Sequence, residues 1–486
     1  MRRSSCLTVA CAVVACAATA RADVSLNNMF GDHMVLQQGI RNKVWGRAEP
    51  GEAVTVTLGT QSHSTTAAGD GTWHVFLDPV VEYGGPHTLT VKGRNTVTFD
   101  DVLIGEVWVC SGQSNMWWSV NRSKDPDIER ATAKYPNIRL ITVPAVWAQK
   151  PQWNFTGAWQ TCSPETVGDF SAVGYYFGRQ LHQTLGVPVG LIDNAWGGSA
   201  AEAWVRRDKL AAHPRLKAIH ERWLQLESAD EQDEKKMPIN QRPANIHCGV
   251  LAPSIGYGMR GVIWYQGETN VGRAHQYREL FPFMITSWRE EWGLGDFPFY
   301  WVQLAAHKEQ KSEPGDSEWA ELREAQTMTM KSVPNGGEAV IIDIGEGKDI
   351  HPKNKQDVAK RLARWALAET YKVPGIACRS PLYRSMERTG KKLLLSFENV
   401  NGGWRPFGVA EPLGFTIAGA DRKFVPAKAV IAADGWVEVW SDAVPEPVAV
   451  RYAWADNPAC NMYSAAGLPL TPFRTDDFPG ITVGKE

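Results

Sequence analysis

The chain carries almost no excess charge: 51 Lys and Arg against 53 Asp and Glu leave a formal net charge of -2 over 486 residues. That balance gives no long-range attraction for a phosphate backbone or an anionic lipid surface, and no basic cluster supplies one locally. Nucleic acid is therefore not an expected partner. Cysteine is also sparse. Three of the eight cysteines fall within the first 16 residues, and the rest, Cys110, Cys162, Cys248, Cys378 and Cys460, are widely spread. No C-x-x-C pair suggests zinc, and five scattered cysteines are no disulfide framework; at most two bridges are expected, beside buried free thiols. Long apolar runs are missing after the start of the chain, since no later segment reaches the roughly 18 apolar residues of a membrane-spanning helix. Internal repeats and low-complexity tracts are missing too.

What is present begins with a leader. Arg2 and Arg3 precede an apolar stretch from about Cys6 to Ala18, and Ala20-Arg21-Ala22 offers the small residues of a cleavage site before Asp23. Residues 1–22 are thus expected to be a signal peptide cleaved after Ala22, and the mature protein secreted or periplasmic. Val13-Val14-Ala15-Cys16 would also suit lipid attachment at Cys16.

Three regions follow. From 23 to 100, short alternating stretches such as "KVWGRAEPGEAVTVTLG" and "HTLTVKG", punctuated by Gly, Pro and Asp, indicate a small β-sandwich-like domain. From 101 to 375, apolar strand candidates at 102–110, 137–143, 187–194, 261–266, 297–304 and 339–345 alternate with helical spacing. The clearest helix has Tyr277, Leu280, Phe281, Met284, Ile285 and Trp288 on one face, and another follows Pro352 with Val358, Leu362, Trp365 and Ala366. Continuous apolar strands between helices imply an α/β fold with a parallel sheet covered on both faces, whose ligands sit at the carboxyl ends of the strands. From 376 to 486 strands return, as a second small β domain. The charged stretch 227–236 is expected to be a solvated loop, or a lid over the site.

On this map "GEVWVCSGQSNMWWSV" sets Ser114 just past the end of the first parallel strand, where backbone N–H groups at a helix start can face a developing oxyanion. A Ser there can equally be a helix cap. A nucleophilic serine needs a base, and among eleven histidines His351 in "DIGEGKDIHPKNK" combines a strand end, a following helix and a nearby acid, Asp349. His247, His275 and His307 remain possible but have no acid so close at a strand end. Gly197 and Gly198, after the third strand candidate, would let a backbone N–H approach a substrate, and Gln266, after the fourth, carries a neutral amide donor. Glycines after strands also make turns, and a Gln at a strand end can simply tie down a loop.

With these blocks the chain resembles the SGNH hydrolases, in the sialate O-acetylesterase-like branch of carbohydrate esterases. The resemblance runs nearly end to end: "NNMFGDHMVLQQG", "GEVWVCSGQSNM", "NAWGGSAAEAW", "IWYQGETN", "DIHPKNKQDVAKRLA" and "GLPLTPFRTD". It implies a flavodoxin-like catalytic domain between the two β domains, Ser114 as nucleophile, His351 as general base and then acid, and oxyanion donors from Ser114, Gly198 and Gln266. It also implies removal of O-acetyl groups from sugars without metal or cofactor. Two departures matter. The broader pattern has Asn where Gln266 stands, and Asp three residues before His where this chain has Lys348. Asp349 is then the expected third member, with Asp343 in reserve, or a Ser-His dyad suffices.

The 21 tryptophans suit a sugar substrate, because apolar sugar faces stack on indole rings. Trp117, Trp118, Trp196 and Tyr265 adjoin the proposed blocks, and about half of these four are expected to touch substrate, Trp117 first. Competing readings are an SGNH lipase or thioesterase acting on a non-sugar ester, and a non-catalytic carbohydrate-binding protein. Glycoside hydrolysis would need two carboxylates flanking a sugar; Glu268 and Asp349 could be suggested, but nothing in their spacing singles them out. No residue separates acetylated sialic acid from acetylated xylan as substrate.

Overall fold

The computed structural model describes residues 23–229 and 237–485. The expected leader lies outside them, as does most of the 227–236 stretch, whose first three residues instead complete the helix Lys217–Ala229.

The organising element is one 17-residue strand, β1 (Thr96–Gly112). Its first six residues never become fully buried, whereas the eleven from Val102 to Gly112 are buried throughout. The sequence explains the change. "TVTFDD" alternates apolar and polar residues, as a strand with one wet face does, and "VLIGEVWVCSG" is a continuous run for a strand covered on both sides. The half-wet end pairs antiparallel with Gly84–Lys92, while the buried end pairs parallel with three strands, Val35–Gln37 first and then two neighbours of the parallel sheet. The domain boundary expected at residue 100 therefore falls within a strand. It coincides with a local kink: Asp101 has φ +54°, and its carboxylate is gripped by Arg139 at 2.7 and 3.1 Å and by His33 at 2.7 Å.

Around β1 the other strands are β2 (Tyr135–Thr142), β3 (Val189–Asp193), β4 (Gly261–Tyr265), β5 (Phe299–Val302) and β6 (Gly336–Ala339). They lie in the order β2-β3-β1-β4-β5-β6, all parallel, with the short strand Gln160–Cys162 antiparallel on the β2 edge. Five strand expectations match. The sixth shifts: residues 339–345 were expected to be a strand, but the ladder ends at Ala339 and the chain leaves the sheet. Its apolar residues are buried all the same. Val340 and Ile342 join the core of the C-terminal β region, while Ile341 and Ile344 face the core of the parallel sheet.

Helices cover both faces. In Ala274–Trp292 the six residues Tyr277, Leu280, Phe281, Met284, Ile285 and Trp288 are all buried, each contributing about 1.5–3 kcal/mol relative to exposure. That helix stops at Gly293, which takes φ +67°. The helix Lys355–Trp365 starts at Asn354, whose side chain accepts the N–H of Asp357. No helix among the described residues is long and apolar enough to cross a membrane.

Before the parallel sheet, strands Ser25–Leu26, Asn42–Arg47 and Thr72–Leu77 form one small sheet, and Ala53–Leu58, Gln61–Thr66 and Gly84–Lys92 extend the wet end of β1. After it come two four-stranded sheets, beginning at Leu382 and sharing one apolar core. At the amino end of the buried part of β1, Glu106 accepts from Arg260 at 2.6 and 2.9 Å, Tyr83 at 2.9 Å, Tyr371 at 2.8 Å and Gln37 at 3.2 Å. This buried carboxylate fastens the first β region to the parallel-sheet region, at the end of the sheet opposite the carboxyl ends of its strands. All five cysteines among the described residues are free.

Candidate active site

β1 ends on Gly112 because no other residue fits. Its φ is +134°, and a Cβ there would lie 2.2 Å from the Tyr265 carbonyl oxygen of β4. This close approach lets the chain turn at once: the Gln113 N–H donates to that carbonyl at 2.9 Å, and Ser114 opens the short helix Ser114–Trp117. Ser114 is half-buried, so its hydroxyl stays reachable. His351 comes from the loop after β6. The two residues, 237 apart in sequence, meet with Ser114 Oγ 2.8 Å from His351 Nε2.

Asp349 stands on the other side of the ring. Its Oδ1 accepts the backbone N–H of His351 at 2.9 Å and lies 3.4 Å from Nδ1, an ionic contact longer than a good hydrogen bond. A carboxylate there favours the tautomer with its proton on Nδ1, leaving the Nε2 lone pair toward the serine. The reserve acid, Asp343, is committed elsewhere, to Arg361 through two contacts of 2.6 Å. Burial holds the His351 pKa below its ordinary value, the Lys355 ammonium pushes the same way, and Asp349 opposes both. The imidazole is thereby kept neutral further into the acid range than a free histidine. Trp118 lies parallel to the imidazole, with ring centroids 4.7 Å apart and 14° between planes.

Among the described residues none of the remaining histidine candidates bonds to Ser114. His247 pairs with Glu291 at 2.8 Å, His275 sits where its backbone N–H meets Thr482, and His307 packs on the Trp319 ring.

Three oxyanion donors were expected, and the structure separates them. Among the described residues, the backbone N–H groups of Ser114, Gly197 and Gly198 have no acceptor. Gly197 adjoins the serine, since a Cβ built on it would lie 3.5 Å from Ser114 Cβ. Gly198 adopts φ +69°, and Asn240 secures the turn by donating to the Gly197 carbonyl at 2.7 Å. Gln266 departs from expectation. It is fully buried, and its amide hydrogens go to the Ser199 carbonyl at 3.1 Å and Asn270 Oδ1 at 2.7 Å, while its oxygen accepts from Tyr277 at 2.9 Å. In this arrangement Gln266 has no hydrogen left for an oxyanion, and it ties the glycine turn to the end of β4.

The four aromatic candidates also divide. Trp117 is 51% exposed and its ring borders Gly197, beside the serine. Trp118 is half-buried and engaged with His351. Trp196 is half-buried, with its ring packed against the large core. Tyr265 departs from the expectation: it is fully buried, because alternation along β4 turns it into the sheet core.

Three side chains not singled out from the sequence as a group also converge here. Asn115, directly after Ser114, donates to Glu268 Oε1 at 2.6 Å and to the Ile350 carbonyl at 3.0 Å, and accepts from Lys355 Nζ at 2.5 Å. Lys355 is fully buried. The signal was present, since Lys355 occupies the apolar stripe of its own helix, three residues before Val358 and seven before Leu362. A lysine on such a stripe requires a buried partner. Glu268, half of the suggested glycosidase pair, is turned inward to Asn115, with Oε2 sealed from solvent.

Comparison with known proteins gives a consistent picture. The family described as "Carbohydrate esterase, sialic acid-specific acetylesterase" matches residues 104–358. Two similar curated proteins are named sialate O-acetylesterase: that of Homo sapiens is 31% identical, with 92% of each chain covered, and that of Mus musculus is 30% identical, covering 91% of this chain and 92% of its own. A crystal structure described as a novel carbohydrate acetylesterase from Xanthomonas citri superposes with a TM-score of 0.84 at 38% identity, over 94% of this chain and 100% of that one.

Proposed function

The chain belongs to the sialic acid-specific acetylesterase family of carbohydrate esterases and is a carboxylic ester hydrolase; on that premise we propose that it removes O-acetyl groups from glycans through an acetyl-Ser114 intermediate. The observation that carries this reading is the 2.8 Å contact between Ser114 Oγ and His351 Nε2, at the carboxyl end of the central strand, beside N–H groups without acceptors.

In the first step His351 takes the Ser114 proton as the oxygen attacks the acetyl carbonyl, and the negative charge on that carbonyl oxygen gathers toward the N–H groups of Ser114 and Gly198. The imidazolium then returns the proton to the departing sugar hydroxyl. In the second step His351 activates a water that releases acetate and restores the serine. Asp349 steadies the charged imidazole in both steps. Trp117 offers an open indole face for a sugar ring beside the nucleophile.

The catalytic unit, 101–375, is read as flavodoxin-like. Setting aside β2 and the short antiparallel strand beyond it, the remaining strands in order of appearance run 2-1-3-4-5, the order of that class. The flanking stretches 23–100 and 376–486 are read as β-sandwich-like units, in keeping with their paired sheets over shared cores. Cleavage after Ala22 and export complete the reading.

Acetate release from O-acetylated sialic acid and from acetylated xylan, with Ser114→Ala as the blank, tests the function. The protein should release acetate from at least one of them and the variant from neither; equal release by the variant contradicts the mechanism.

A further inference from the structure

The catalytic residues reach one another from distant parts of the chain, and something must hold their spacing. Asn115 is the residue that touches both sides. It follows the nucleophile directly, and its amide reaches the carbonyl of Ile350, the residue before the base. The second hydrogen of that amide goes to Glu268 Oε1, two residues beyond Gln266, and its oxygen receives Lys355 Nζ from the helix after the histidine loop. A side-chain amide has two hydrogens and one oxygen, and here all are used, so the orientation of Asn115 is fixed by chemistry.

Lys355 is the unusual member. It is fully buried, with its ammonium 5.2 Å from the centre of the Tyr265 ring and 5.9 Å from that of Trp118, the ring that stacks on His351. A buried cation is costly unless hydrogen-bonded and paired. The groups facing it are Asn115 from the nucleophile helix, Glu268 from the turn after β4, and Glu346 and Asp349 from the loop leading to His351.

We propose that Lys355, Asn115 and Glu268 form a buried positioning relay, which locks the Ser114 turn to the His351 loop and, through the acid range, sets a positive charge against the aromatic ring that stacks on the catalytic imidazole. The relay makes no contact with substrate and acts through the two residues it holds. Burial lowers the Lys355 pKa to about 7, and this neighbouring charge is one of the influences that holds the His351 pKa down, alongside burial and His307 and against Asp349. Removing the charge must therefore raise the His351 pKa, and the acid limb of the rate profile must move to higher pH. A residue that served packing alone would lower the yield of folded enzyme and leave that limb in place.

This inference rests on the serine-esterase reading, and the experiment keeps the two separable. Lys355→Met, Glu268→Gln and the double variant are assayed on a soluble acetyl ester from pH 4 to 9. Rates are expressed per site labelled by a serine-directed organophosphate, and thermal unfolding is followed in parallel. Lys355→Met should lose about 10- to 100-fold in kcat with KM changed by less than about twofold, and its acid limb should move upward. The double variant should unfold at a higher temperature than Lys355→Met, because Glu268 is no longer left as a lone buried carboxylate, and should keep the displaced limb. If Lys355→Met labels and turns over like the unaltered protein with its limb unmoved, or if its whole loss disappears when rates are expressed per labelled site, the relay is wrong while the esterase reading stands. Should Lys355→Met alone fail to fold, the double variant carries the same test of the limb.

Discussion

Asp349 Oδ1 accepts the backbone N–H of His351 at 2.9 Å and stands 3.4 Å from the Nδ1 of the same residue. One carboxylate oxygen thus sets both the loop conformation and the electrostatics of the imidazole. The contact is long and the carboxylate is 43% exposed, so Asp349 supports the base less strongly than a buried, tightly bonded acid would.

The pH dependence follows with its sign. In the proposed mechanism His351 must be neutral to accept the serine proton, and its pKa lies below the ordinary 6.5. Activity should therefore persist below that pH before falling as the imidazole charges. Asp349 raises the His351 pKa, so Asp349→Asn should move the acid limb to lower pH. The plateau should fall by about 10- to 100-fold, less than the ~10⁴ seen where the triad acid is buried. Initial rates between pH 4 and 9 check this. A limb that moves upward, or an unaltered plateau, means that Ser114 and His351 work without Asp349.

Gln266 distinguishes a tie from a donor. Its side chain serves Ser199, Asn270 and Tyr277, and truncation would leave the Tyr277 hydroxyl without that acceptor. Gln266→Ala should therefore destabilise the fold by about 2–4 kcal/mol in chemical denaturation, together with a fall in kcat. A direct oxyanion donor would instead give a kcat loss with stability unchanged.

Much of this was legible in the sequence. The apolar run from Val102 to Cys110 dictates a doubly covered strand, and its abrupt end on Gly112 and Ser114 marks a reactive turn. The acid-containing loop at His351 carries its own signature. What stayed hidden is what depends on three-dimensional pairing. A Gln after a strand reads the same whether its amide faces a substrate or a neighbouring carbonyl, which is why the role expected of Gln266 differs from its observed bonds. Tyr265 was credited with contact by its nearness in sequence to Gln266, although successive strand residues face opposite ways. Asn115, Glu268 and Lys355 are linked across 153 and 240 residues, and only the misplaced charge of Lys355 on an apolar stripe hints at the connection. The run 339–345 is apolar because two cores meet there, and burial without a ladder looks like a buried strand when read from composition alone.

The central claim is that Ser114 Oγ is the atom that takes the acetyl group, with His351 as its base. Labelling the intact protein with a serine-directed organophosphate and locating the adduct by peptide mass analysis tests it most directly. The account predicts a single adduct on Ser114, formed at least about 100-fold more slowly in His351→Ala. An adduct on another residue, or no adduct in an enzyme that still releases acetate, would contradict it.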